Sequence, residues 1–336
     1  MINPRHEKQL RTRPAKPSKH KWQHFLPQMY LRGFVDPNRV AKGQHDLWVY
    51  RLADEPKARG PKGVAAEPHF YTTAELPDTP TEGEKGLAEV EDVAVKHLEK
   101  LRSGDINLTP QEKAEFATYV GIQMTRTPLA RDRANAIAIE LMRQGWKKTL
   151  DEGKLGDLVT KLEAKTGQKI GTNLVSLEEF ARRIADGTAE MSQESKGWNM
   201  KHMFDQAVTF GGVLERMHWG LLEAPVGAAF ITSDNPVHVA DPPAKAAGSK
   251  GFTFSNQMQV AFPLSPRFLL FCDFVPRPDE RAALTADQVR RFNTDQIEYA
   301  YREVYASFRS DELQAEVDCV FNARPSVEWK LPPDVL

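Results

Sequence analysis

The stretch FITSDNPVHVAD, residues 230–241, decides how this chain is read. A run of strand-forming residues ends on a hydroxyl, a carboxylate and an amide. Pro236 then pushes Asn235 out of helical geometry, so the strand stops in a turn. From Trp219 onward the chain carries strand-like runs, WGLLEA, AAFITS, QVAFPLS and RFLLFCDF. Upstream of Trp219 lies a long helical middle, and strand-like runs return near the N-terminus in DLWVYRL (46–52) and PHFYTT (68–73). This order predicts an α+β fold, with a helical layer packed on a mostly antiparallel or mixed sheet built from N-terminal and C-terminal strands.

Local signals fill in that outline. HFLPQMYLRGF (24–34) places Pro27 at a helix start and Gly33 at its stop. GLAEVEDVAVKHLEKL (86–101) spaces Leu87, Val90, Ala94, Leu98 and Leu101 as one helical stripe. TPQEKAEFATYVGIQMTRTP (109–128) opens on a capping box of Thr109 and Glu112. Pro128 falls inside a helical pattern that resumes to about Leu150, which predicts a kink. Residues 151–195 are charged and dotted with glycine, and read as an insertion or lid with shorter helices. A helix is expected over 197–217 and another from a Thr285 cap with Gln288 three residues on. DCVFNA (318–323) reads as a last short strand. The resulting plan is a basic arm over 1–21, one α+β domain over 22–310, and a C-terminal strand and tail over 311–336.

The 336 residues carry a formal net charge of −1, with 40% apolar and 27% charged residues, so no global field draws the chain to nucleic acid or an anionic membrane. The arm differs: between Arg5 and Lys21 stand seven Lys or Arg residues against one Glu. Such an apolar-poor stretch is either a solubilising tail or a phosphate-contacting arm. No window reaches the length of a membrane span. Cys272 and Cys319 sit in apolar runs without disulfide or metal spacing, which points to a reducing, cytoplasmic setting.

Chemistry is sought where polar side chains fall on faces that should be buried. Glu91 borders the stripe of the first long helix, Gln123 and Arg126 share the inner face of the second, and Asn293 sits on the stripe of the last. Each costs a few kcal/mol (about 2–7) if buried without a partner, so they meet one another, water or a ligand. Glu91 and Arg126 therefore form either a structural ion pair or the wall of a pocket in which Arg126 grips an anion. Ser233, Asp234 and Asn235 either close the turn after the strand or line the rim of a site. His20 and His24 stand four apart as in a zinc-protease helix, but Lys21 replaces the general base and Pro27 starts the helix later. His24 alone remains a candidate acid or base, with Glu67 and His69 as secondary candidates. Glycine-rich phosphate loops and the nucleophile elbow are absent from the sequence.

The blocks HFLPQMYLRGF, LWVY (47–50), EPHFY (67–71), QMTRTP (123–128), TSDNPV (232–237) and PLSP (263–266) resemble, in order, the motifs of a bacterial family known as domain of unknown function 4238. The resemblance runs from about residue 20 to 310. It brings no assigned activity, but it raises the weight of His24, Glu67, Gln123, Arg126, Ser233, Asp234 and Asn293. The expectation is a hydrolase of a phosphoester, nucleotide or nucleic-acid substrate. Arg126 would hold phosphate, Asp234 and Glu91 would bind a divalent metal such as Mg²⁺ or activate water, and His24 would move protons. Gln123, Ser233, Asn235 and Asn293 would complete the substrate contacts. The alternative is a non-enzymatic ligand-binding or interaction protein whose polar cluster is structural.

Overall fold

Three segments distant in sequence converge on one helix end in this chain, and the fold explains why. The computed structural model describes residues 22–68, 70, 82–167, 169, 174–188, 196–240, 255–276 and 280–324. The described residues form two compact units, one holding those up to Arg131 and from 196 onward, the other those from Asp132 to 188.

The first unit begins with β1 (Trp22–His24), α1 (Gln28–Leu31), α2 (Pro37–Val40), β2 (Leu47–Tyr50), β3 (Lys57–Arg59) and β4 (Ala66–Pro68). Then come α3 (Glu82–Arg102), α4 (Pro110–Thr125) and the start of α5 (Pro128–Asp151). The second unit holds the rest of α5 with α6 (Leu155–Thr166) and α7 (Leu174–Ala185). In α7 the buried positions are Ala181 and Ile184, and Gly187, at φ +73°, brings the following turn against the Arg143 guanidinium of α5. The first unit resumes with α8 (Lys196–Arg216), β5 (His218–Glu223), β6 (Thr232–Ser233), β7 (His238–Ala240), β8 (Gln259–Pro263), β9 (Phe268–Asp273) and β10 (Arg281–Ala283). It closes with α9 (Ala286–Tyr299), β11 (Val304–Ala306) and α10 (Asp311–Ala323).

The fold is α+β. One sheet runs β10-β5-β9-β8-β7, antiparallel except where β10 lies parallel to β5. A second, β3-β2-β11-β6, joins N-terminal and C-terminal strands through the pairing of Trp48 with Ala306. β1 and β4 form a two-stranded ladder of their own. The Tyr30 hydroxyl ties the two large sheets together, accepting from the Thr232 hydroxyl at 2.6 Å and donating to the Pro263 carbonyl at 2.7 Å. Around it Leu98, Phe116 and Phe262 are fully buried in the main core.

α4 crosses α8 at very close range. A Cβ on Gly121 would stand 2.3 Å from the Ala207 carbonyl oxygen, so only hydrogen fits there. That contact fixes the rotation of α4 about its axis, and so fixes which of its side chains look inward.

Three expectations change. Pro128 does not kink a continuous helix: α4 ends at Thr125, and Pro128 opens α5 as its first residue, where its missing N–H costs nothing. DCVFNA is helical, because Ser310 caps α10 by accepting from the Leu313 N–H and Leu313 and Val317 bury at helical spacing. Cys319 on that helix is exposed, whereas Cys272 is buried. AAFITS contributes only Thr232–Ser233 to a sheet. The basic arm and most of PHFYTT lie outside the described residues.

Candidate functional site

α4 builds the site. Tyr119 and Gln123 stand one turn apart on its inner face, and both are fully buried. Neither the Tyr119 hydroxyl nor either end of the Gln123 amide meets a hydrogen-bond partner among the described residues. Buried polar groups are nearly always paired, with protein or with ordered water, and these three atoms lie on adjacent turns of α4. Burial pushes the Tyr119 phenol well up, with the Glu91 carboxylate adding to the effect and the Arg126 charge opposing it. The phenol therefore stays protonated and able to donate.

Three residues further on the helix ends, and Arg126 leaves helical geometry at φ −93°, ψ 6°. Its side chain is 3% exposed. One guanidinium nitrogen donates to Glu91 Oε1 at 2.6 Å and another to the His24 carbonyl at 3.0 Å. Glu91 comes from α3 and keeps a quarter of its side chain exposed, at 26%. This end of α4 thus draws β1 and α3 together.

The His24 ring is set by two neighbours. Nδ1 lies 3.1 Å from the Val64 carbonyl and Nε2 lies 3.2 Å from the Gln28 amide nitrogen, so Nδ1 donates and Nε2 accepts. Burial holds this imidazole below its ordinary value, and the Arg126 charge lowers it further against the pull of the Val64 carbonyl and Glu91. A neutral imidazole with its lone pair on Nε2 is a base at neutral pH. Next to Val64, Ala65 adopts φ +51°, a left-handed conformation that costs a non-glycine residue about 1–2 kcal/mol.

Glu67 lies on β4 opposite Gln23, beside this cluster. Its carboxylate takes Arg131 at 2.8 Å and faces Arg302 at 3.7 Å. His69 lies outside the described residues.

The turn that opened the sequence reading has another role. Asp234 is 2% exposed, and its two oxygens accept from the backbone N–H groups of Tyr301, Arg302 and Glu303 at 2.7, 2.7 and 3.0 Å. Burial pushes this carboxyl up to about 7 against those three donors. Ser233 Oγ donates to the Asn235 carbonyl and accepts from the Asn235 N–H and the Gln296 amide. Asn235 donates to the Tyr299 carbonyl and accepts from Thr127. Asn293 clamps Ala229 and Ile231. In the structure these groups join β6 to α9 and β11. Among the described residues no three His, Cys, Asp or Glu side chains gather as a metal site.

The structure therefore brings His24, Glu91 and Arg126 together, with Gln123 one turn back on α4 and Asn235 bonded to Thr127, the neighbour of Arg126. Sequence reading missed Tyr119, although its place four residues before Gln123 and seven before Arg126 put it on the same face. A separate cleft of about 430 Å³, lined by Ile106, Lys113, Trp219 and Glu280 among others, has its Lys113 ammonium bound to the Met217 carbonyl at 2.8 Å. No helix among the described residues is long and apolar enough to cross a membrane.

The first unit is thus an α+β domain in which Arg126 joins Glu91 to the His24 backbone, beside a buried Tyr119 hydroxyl and Gln123 amide that meet no hydrogen-bond partner among the described residues. Residues 22–310 match the model of a family described as protein of unknown function (DUF4238), and the chain belongs to that family. No curated protein and no solved structure matches it.

Proposed function

We propose that the first unit binds a phosphorylated ligand of the nucleotide or phosphoester class in the Tyr119–Gln123–Arg126 pocket and hydrolyses it by acid–base chemistry. The unmet Gln123 amide carries this reading, because a group with one donor end and one acceptor end is complementary to the edge of a nucleobase or to a hydrated phosphoester. Arg126 supplies the positive charge for the phosphate, which displaces Glu91 from one guanidinium edge. With the Gln28 amide displaced by the attacking water, His24 Nε2 takes a proton from that water as its oxygen bonds to phosphorus. The ester P–O bond breaks, and the imidazolium returns that proton to the leaving oxygen. Glu91, already part-exposed, steadies the imidazolium while it lasts.

A second reading rests on the closed Glu91–Arg126 contact and the bond from Arg126 to the His24 carbonyl. Under it the pair is a structural lock and the chain acts by binding alone. Turnover of bis(p-nitrophenyl) phosphate and of 5′-AMP separates the two. The hydrolase reading expects turnover that His24→Gln lowers by about 10²–10⁴-fold without loss of folding. An absence of turnover in the parent protein leaves the binding reading in its place.

A further inference from the structure

We infer that the cleft lined by Lys113 and Glu280 is a second ligand site, and that it takes a free amino acid with an apolar side chain. This site is independent of the function proposed for the Tyr119–Gln123–Arg126 group. The residues that line it all belong to the first unit. At about 430 Å³ it falls within the roughly 300–1,000 Å³ of small-molecule pockets. Ile106, Leu108 and Trp219 supply apolar wall, the first two partly buried against the main core.

Lys113 is a cation held in place. Its ammonium donates to the Met217 carbonyl at 2.8 Å and lies 5.3 Å from the centre of the Trp219 ring. That ring is fixed in turn, its Nε1 donating to the Leu214 carbonyl at 2.9 Å and its plane meeting Phe116 edge to face. An ammonium carries three N–H groups, so two remain for a ligand. Lys113 is partly buried, yet among the described residues it pairs with no carboxylate. Glu280 lines the same cleft, exposed, and its carboxylate likewise meets no cation among the described residues.

Two opposite charges that share a cleft without meeting select the ligand. A simple anion entering the cleft meets Glu280 as a like charge, and a simple cation meets Lys113. A neutral molecule compensates neither. A zwitterion satisfies both, with its carboxylate on Lys113 and its ammonium on Glu280, while an apolar side chain lies against Ile106 and Leu108. The exposed His218 at the start of β5 is the third ionisable side chain on the cleft, and its ring can hydrogen-bond either end of such a ligand.

The test is isothermal titration of the full chain with L-leucine, with 4-methylpentanoate, which lacks the ammonium, and with 3-methylbutylamine, which lacks the carboxylate. L-leucine is expected to bind saturably at one per chain. The amine should bind about 10-fold more weakly or worse, having lost the partner of a partly buried ammonium. The carboxylate analogue should bind about 2- to 5-fold more weakly, since Glu280 is exposed. Lys113→Met, checked for an unchanged melting curve, should weaken L-leucine by about 10-fold or more. Glu280→Gln keeps the shape of an exposed side chain and should erase the preference for L-leucine over 4-methylpentanoate, which decides the matter even if Lys113→Met melts early. Either analogue binding the parent as tightly as L-leucine overturns the inference. So does an absence of L-leucine binding, or a preference that survives Glu280→Gln.

Discussion

Gln123→Met is the most informative single substitution in this protein. The side chain is fully buried, with both polar atoms unmet among the described residues. Leaving a buried polar group unpaired costs about 1–3 kcal/mol, and methionine keeps nearly the same length without that cost. Repacking around the sulfur gives back up to about 1 kcal/mol. The free protein should therefore gain about 1–2 kcal/mol, which at about 2–4 °C per kcal/mol is a melting temperature higher by roughly 2–8 °C. On the proposed reading, in which the amide meets the ligand, ligand affinity should fall in the same variant. A gain in stability with a loss of binding is the mark of a residue kept for function. Scanning calorimetry with and without 5′-AMP measures both. A variant that melts several degrees lower would refute the reasoning, since it would mean that Gln123 is already satisfied in the free protein by water and serves the fold.

Other predictions concern the groups around it. Glu91→Leu should destabilise because it takes the carboxylate from an Arg126 charge that is only 3% exposed, whereas Arg126→Met leaves a carboxylate that water still reaches and should cost less; urea unfolding of both variants gives the order. The His24 imidazole is held below its ordinary 6.5 in the folded chain, so the unfolded chain binds this proton more readily. Stability should decline as pH falls from about 6.5 toward the folded value, and His24→Gln should flatten that part of the stability–pH curve. Gly121→Ala, with its methyl driven against the Ala207 carbonyl, should cost about 1–3 kcal/mol or more, while Gly212→Ala, open on that side, should gain up to about 1 kcal/mol by helix propensity; thermal unfolding of the pair compares them. Asp234→Ala strands three backbone N–H groups and should cost at least about 3 kcal/mol in chemical denaturation, while Asp234→Asn, which keeps acceptor oxygen, should cost less.

Much of the fold was legible because its signals are local. The capping boxes at Thr109 and Thr285 form as the spacing implies, and β5, β8 and β9 follow their apolar runs. DCVFNA was misread because Val and Phe carry strand propensity, and only the Ser310 cap and the 313–317 spacing reveal the helix. The site was half legible. Helical spacing put Gln123 and Arg126 on an inward face, which the depth of α4 in the core bears out. Whether Ser233, Asp234 and Asn235 faced a cavity or a backbone could not be read locally. Their partners, Gln296, Thr127 and the N–H groups of 301–303, lie more than 60 residues away, and a short polar side chain looks the same whether it caps a turn or binds a ligand. Tyr119 escaped notice because a tyrosine on an apolar face usually counts as core, and only its unmet hydroxyl separates it.

The most direct test of a ligand site at the inner face of α4 is isothermal titration of the parent protein and of Gln123→Met with 5′-AMP. The pocket account predicts saturable binding near one ligand per chain in the parent and weak or absent binding in a variant that is at least as stable. Equal binding by both proteins, or binding by neither, would contradict it.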